Sequence, residues 1–215
     1  MVNLFTTYYY DADRENELYH VHLINKSCKF IDMIYAMNEM KPHNVSMPEK
    51  NVSMRWIDSR PTMQQLFDWV NEVTGYDDIN IVANSDIYFD EEGIDIIKLL
   101  LTENDCWALT RWEMNSDNMV KFGNIMVKDA TFMDRSDSQD TWCFRGRIKP
   151  GNYNFKIGTP GVDNRLAFEI QKAGYNISNP SWTVKTYHLH KGDHRAWHGT
   201  EPIPHPYLLV QPTSL

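Results

Sequence analysis

The sequence predicts a single α/β domain, a mixed and mostly parallel sheet flanked by helices. Three observations point there. The 215 residues suit one domain at roughly 150 residues per domain. Short apolar runs alternate with amphipathic stretches through the first half, and parallel strands need helical crossovers of that kind. The composition, 42% hydrophobic and 23% charged, is that of an ordinary globular chain and excludes disorder, collagen and coiled coil.

Each element has its own warrant. Residues 2–6 (VNLFT) read as a short apolar strand. Within 13–28, Leu18, Val21, His22 and Ile24 fall near helical spacing with charge opposite, which predicts a helix. Residues 30–36 form a second strand, and Pro42 and Pro48 mark 40–51 as a loop. Residues 52–57 are a third strand. Pro61 and Thr62 then open a helix over 62–73 with Leu66, Phe67, Trp69 and Val70 on one face. The run 79–83 (INIVA) is apolar enough to be buried on both faces. A helix over 91–102 and a strand over 106–112 follow. The second half is less regular, with strand-like pieces at 119–127, 141–145 and 183–189 and a helix at 163–173. The last residues, 201–215, hold Pro202, Pro204, Pro206 and Pro212 and read as an extended surface tail.

Composition narrows the function classes. No apolar run approaches the ~18 residues of a membrane helix. Residues 1–10 lack the basic start and small-residue cleavage site of a signal peptide. Both point to a cytoplasmic protein with no membrane insertion. Cys28, Cys106 and Cys143 match no CxxC pattern and read as buried thiols of a reducing compartment rather than a zinc site. The net charge of −8 argues at first sight against a polyanionic partner, but it is unevenly spread. Residues 1–140 hold 12 basic and 25 acidic groups, a net −13, and residues 141–215 hold 9 basic and 4 acidic, a net +5.

Five segments carry candidate chemistry. In 79–90 (INIVANSDIYFD) a buried strand ends at Ala83 and Asn84, Ser85 and Asp86 follow at once. Ligands of open α/β sheets bind at such strand ends, and a carboxylate there suits Mg²⁺ or Mn²⁺. Asp90 reads as the cap of the next helix. Asp140 directly precedes an aromatic strand and reads either as loop polarity or as part of a site. Asp163 follows the tight turn of Gly158, Pro160 and Gly161, and is either a helix cap or a rigidly held general base. In 184–198, His188 and His190 share a strand face and can complete a metal site begun by Asp86, while Lys185, Lys191 and Arg195 can neutralise phosphate. Earlier in the chain, Thr6, Thr7 and Tyr8 at a strand end, with Arg14 and Arg60, suit a base and a diphosphate. The tyrosines of 8–10 serve equally well as packing residues.

Taken together, FTTYY at 5–9, RPT at 60–62, ANSDIYFD at 83–90, ALTRWE at 108–113, SQDTWCFR at 138–145, PGVDNRLAFEIQKAGY at 160–175 and NPSWTVKTYHLH at 179–190 resemble a glycosyltransferase of the GT-A type. The resemblance implies a Rossmann-like domain over 1–200, with a nucleotide-sugar-binding half at 1–115, an acceptor-binding half at 116–200 and a tail at 201–215. It implies a UDP-sugar donor and Mn²⁺ or Mg²⁺. The D-x-D-type metal motif falls on Asn84-Ser85-Asp86, with Asn in place of the first Asp. Asp86 is then the metal carboxylate, and His188 or His190 its late partner. Thr6, Thr7, Tyr8, Arg14, Arg60, Asn84, Ser85, Arg111 and Lys191 fall to the donor. Asp163 matches the base of inverting members, and Asp140 is the second candidate catalytic carboxylate. In a retaining enzyme Asp163 would bind the acceptor instead.

The small size and the Met- and Asn-rich character also resemble bacteriophage enzymes, among them the glycosyl- and arabinosyltransferases that decorate 5-hydroxymethylcytosine in DNA. Trp142, Arg145, Arg147 and Lys149 belong to a stretch without acids between Asp140 and Asp163, where cations and aromatics interleave as a nucleic-acid strand requires. They are the candidate contacts to double-stranded DNA. A surface-glycan acceptor, a non-catalytic nucleotide- or DNA-binding module and a nucleotidyltransferase are the competing readings. The last lacks a Gly-rich phosphate loop after the first strand.

Overall fold

The computed structural model describes residues 1–9, 11, 15–39, 51–114, 130–189 and 200–215, the side chains of 15–17 aside. In chain order the elements are β1 (Val2–Tyr8), α1 (Glu15–Ser27), β2 (Met33–Asn38), β3 (Val52–Trp56), α2 (Met63–Val73), β4 (Ile79–Ala83), β5 (Ile87–Phe89), α3 (Glu91–Leu100), β6 (Asp105–Leu109), β7 (Trp112–Met114), β8 (Ala130–Phe132), β9 (Thr141–Arg145), α4 (Val162–Lys172), β10 (Asn176–Ser178) and β11 (Thr186–His188). The predicted strand at 119–127 lies outside the described residues.

The main sheet has the order β10-β6-β9-β4-β1-β2-β3. β3, β2, β1 and β4 run parallel, as do β6 and β10, while β9 is antiparallel to both its neighbours. The expected mixed, mostly parallel sheet is therefore present. Successive strand residues face opposite layers. Phe5, Val82, Trp142 and Phe144 join the apolar residues of α2 and α4 on one face. Leu4, Ile81, Cys143 and Leu109 join Ile94 and Ile97 of α3 on the other. The three cysteines are free and buried.

Local chemistry explains the helix starts. Thr62 and Gln65 form a reciprocal capping box on α2, which satisfies two otherwise unpaired amides. Asp90 caps α3 by accepting from the Gly93 N–H at 2.7 Å. The start of α4 differs from both. Its cap is Gly161, left-handed at φ 79°, with no side-chain bond, and Asp163 stands inside the first turn. A Cβ at Gly161 would stand 2.5 Å from the Tyr207 hydroxyl, so both backbone and space require glycine there.

A second sheet, β5-β11-β7-β8, sits at one end of the first. It registers His188 opposite both Ile87 and Glu113. The C-terminal residues 201–215 run along the surface without helix or strand, and backbone bonds strap them to it. Ile203 N–H donates to Pro160, Leu208 to Asn164, Val210 to Ser136 and Thr213 to Asn179, and Ile203 and Val210 are buried.

Candidate functional site

A cleft of 660 Å³ opens where β1, β4 and β6 end and β9 begins. The antiparallel course of β9 makes this edge: Thr141, its first residue, stands beside Ala83 and Leu109, the last residues of β4 and β6. Asp140 is locked into the edge by its backbone, accepting from Asn84 N–H and donating to Leu109, both at 3.0 Å.

The floor of the cleft is a closed ring of polar side chains. Asn84 donates to Asp140 Oδ1 at 2.8 Å. Arg111 donates from Nη1 to both Asp140 oxygens at 3.0 Å and from Nε to Glu113 Oε1 at 2.6 Å. Glu113 Oε2 lies 2.7 Å from His188 Nδ1, and His188 Nε2 lies 3.2 Å from Asp86 Oδ2. Asp86 is two residues from Asn84, which closes the ring.

Electrostatics follow from this arrangement. Burial disfavours the charged form of His188, but the carboxylates of Asp86 and Glu113 outweigh it and push the imidazole up to about 9. Burial would raise Glu113, yet His188 and Arg111 bring it down to about 2. Burial likewise opposes the Arg111 charge, and Asp140 and Glu113 more than restore it. Asp163 goes the other way. Burial and then the Asp140 charge lift its carboxyl well above the usual carboxylate range, against the pull of Arg111 and a hydrogen bond from Gln139 N–H.

Asp86 Oδ2 and His188 Nε2 are close enough to each other that the two side chains could share a divalent cation. Neighbouring ligands of an octahedral Mg²⁺ stand roughly 3 Å apart, given bonds of about 2.1 Å, close to the observed 3.2 Å between the two atoms. The carboxylates of Asp86 and Glu113 on either side of His188 make this a place where positive charge is favoured, which is the electrostatic requirement of a cation site. Among the described residues no three His, Cys, Asp or Glu side chains group to hold a metal unaided.

The cleft brings together Thr7, Arg60, Asn84, Ser85, Asp86, Arg111, Asp140, Trp142, Asp163 and His188. Thr6 and Tyr8 do not line it. They alternate with Thr7 along β1 and line a small space against α1 with His22 and Asn25. Arg14, His190 and Lys191 lie outside the described residues. Arg145, Arg147 and Lys149 are not at the cleft either. β9 carries the chain about 17 Å from Asp140 to Arg145 at ~3.4 Å per residue, towards the opposite edge of the sheet. There Arg145 donates to the Leu101, Lys98 and Asp77 carbonyls. Arg147 sits over the Tyr76 ring, and Lys149 donates to Gly174 at 2.7 Å.

Sequence reasoning left Tyr9 open between packing and the nucleotide base and passed over Glu39 and Glu113, and all three line the cleft. Glu39 pairs with Arg60 at 3.5 Å, and the Arg60 guanidinium lies over the Tyr9 ring at 5.6 Å. A signal for Glu113 existed, since it lies two residues from Arg111, a spacing that puts side chains of an extended chain on the same side.

No protein-family model matches the chain, and no curated protein sequence matches it. Solved structures do match. S. aureus TarS 1–349 in complex with UDP-GlcNAc aligns with a TM-score of 0.56 at 9% identity, over 90% of this chain and 60% of that one. TarS 1–349 in a second crystal structure gives 0.53 at 10% identity, over 87% and 60%. The mannosyltransferase PcManGT from Pyrobaculum calidifontis, in complex with GDP-Man and Mn²⁺, gives 0.52 at 11% identity, over 92% and 58%. The chain thus spans about three fifths of the length of these proteins. At such identities the likeness is one of architecture, and the chain has the Rossmann-like, GT-A-type fold that its sequence predicts.

Proposed function

We propose that the chain is a glycosyltransferase that moves a sugar from a nucleoside-diphosphate donor, a UDP-sugar first among them, to a hydroxyl acceptor with inversion at the anomeric carbon. The observation that carries this reading is the meeting of Asp163 with the Asp86–His188 pair in one cleft at the strand-end edge. Fold similarity to a protein seen with UDP-GlcNAc and to another seen with GDP-Man and Mn²⁺ supports it.

In this mechanism the acceptor oxygen bonds to the anomeric carbon as the bond to the diphosphate oxygen breaks. Asp163 takes the hydroxyl proton. Burial and the Asp140 charge raise its affinity for that proton, the direction in which a carboxylate becomes a better general base. Asp86 and His188 would hold the divalent ion. When bound, that ion neutralises charge developing on the leaving diphosphate. Thr7, Arg60 and Ser85 receive the nucleotide, and Arg14, Lys191 and His190 remain assigned to the donor and metal by sequence. Asp140 fixes Arg111 and raises Asp163, so its catalytic part is played through those two.

The acceptor proposed first is 5-hydroxymethylcytosine in DNA, on the resemblance to phage DNA-modifying enzymes and the net +5 of residues 141–215, whose Arg145, Arg147 and Lys149 would hold the duplex outside the cleft, and a bacterial surface glycan is the second arm of the test. The full chain with Mn²⁺ is incubated with UDP- and GDP-sugars, UDP-arabinose included, and with each acceptor, and product masses are read. A gain of one sugar residue on one acceptor is expected. No gain on any acceptor, with no nucleoside diphosphate released, overturns the reading.

A further inference from the structure

We infer that Glu113 is a positioning residue: it holds the His188 ring so that Nε2 faces Asp86, and thereby sets the affinity of that pair for a divalent cation. The inference rests on the metal reading of Asp86 and His188 proposed above.

The geometry leaves Glu113 little freedom. Its Oε1 is 2.6 Å from Arg111 Nε, and Arg111 is itself fixed by two 3.0 Å bonds to the buried Asp140. One carboxylate oxygen is therefore committed, and the other points at His188 Nδ1, 2.7 Å away. Both backbones are held in register by the pairing of β11 with β7. On the other side β11 pairs with β5, the strand that leaves the Asp86 turn, and Leu189 N–H donates to the Asp86 carbonyl at 3.0 Å. His188 is thus clamped between two carboxylates with its two nitrogens assigned.

That assignment has a chemical consequence. An imidazole binds a metal through an unprotonated nitrogen, and the other nitrogen's hydrogen bond decides which one that is. With Nδ1–H donated to Glu113, the lone pair of the neutral ring lies on Nε2, facing Asp86. A carboxylate behind a ligating histidine also makes the ring a stronger donor. Without Glu113 the ring can turn over, or place its proton on Nε2, and either change spoils the pair. Asp86 alone would be left to attract the ion.

The test is a Mn²⁺ titration of the full chain in the presence of saturating UDP, followed by electron paramagnetic resonance, for the unaltered chain and for Glu113→Ala, Glu113→Gln and Asp86→Ala. Melting curves are recorded beside it. Glu113→Ala is expected to weaken Mn²⁺ binding by about 10- to 100-fold, the usual effect of losing such a partner. Glu113→Gln, with one acceptor oxygen to share between the Arg111 and His188 N–H groups, weakens it less and carries the test if the alanine variant does not fold. In turnover with a UDP-sugar, the Mn²⁺ concentration that gives half of each Glu113 variant's own maximal rate rises in step with its weakened binding. A role confined to folding would lower kcat instead. Mn²⁺ affinity within about twofold of the unaltered chain in both glutamate variants, with Asp86→Ala weakened, overturns the inference alone. Mn²⁺ binding that is absent from the unaltered chain, or indifferent to Asp86→Ala, overturns the metal reading and the inference with it.

Discussion

Asn84 stands where the resemblance expects the first acid of a metal motif, and its neighbour explains the exchange. Its Nδ2 donates to Asp140 Oδ1 at 2.8 Å, in a ring where Arg111 already serves two carboxylates, Asp140 and Glu113. An aspartate at 84 would set a second carboxylate against Asp140. Asn84→Asp is expected to cost roughly 1–3 kcal/mol for the lost bond and the unpaired charge, read as a lower melting temperature, without tightening Mn²⁺ binding. A gain in Mn²⁺ affinity at unchanged melting temperature would place Asn84 in the metal shell instead. Asp163 gives a pH-dependent counterpart. Its folded carboxyl holds a proton more tightly than the unfolded one, so the folded state binds more protons in that window and loses stability as pH rises. Asn keeps the acceptor for the Gln139 N–H and removes the charge. Asp163→Asn should therefore melt above the unaltered chain at pH 8, and the difference should close below about pH 4, where the unfolded carboxyl is also neutral. An equal difference at both pH values would contradict the assignment.

At the scale of elements, the sequence was legible wherever periodicity ran long enough to show. The α2 face with Leu66, Phe67, Trp69 and Val70, its Thr62 cap and the doubly buried β4 could all be read directly, and the structure has them. The strands β5, β7, β8 and β10 each span three residues, too few to display a period of two. The predicted strand 106–112 accordingly breaks at Thr110 and Arg111, and its second piece enters the smaller sheet. That break is what turns Arg111 and Glu113 into the cleft. The direction of β9 was equally invisible, because residue order within 141–145 reads the same for a parallel and an antiparallel strand. Direction alone separates Asp140 and Trp142 at the cleft from Arg145 at the far edge. The site residues that could be read were those at the ends of strong strands, Asp86 above all. Glu113 and Glu39 escaped because their meaning comes from partners distant in sequence, His188 and Arg60. The tail was read from its prolines alone. Its bonds to Pro160, Asn164 and Ser136 tie together the two segments that carry Asp163 and Asp140.

Across the whole molecule, charge and fold point to the same chemistry. The acidic half supplies much of the cleft, and among the described residues its lining holds six carboxylates, including Glu39 and Asp137, against the three guanidinium groups of Arg60, Arg111 and Arg135. Each of those arginines is already paired with a carboxylate. A diphosphate entering such a cleft meets net negative charge, and a divalent cation reverses that balance. The positive stretch of 141–215 stands partly on the opposite edge, so any polyanion bound there engages a surface distinct from the reacting centre. The most direct measurement is the rate of nucleoside diphosphate release from UDP- and GDP-sugars, with an acceptor present, for the unaltered chain and for Asp163→Asn, with Mn²⁺ and again after its removal by a chelator. The account predicts release by the unaltered chain that is lost on chelation and falls at least about 100-fold in the variant, the scale of a positioned base. Equal rates in the two proteins, or release indifferent to chelation, would contradict it.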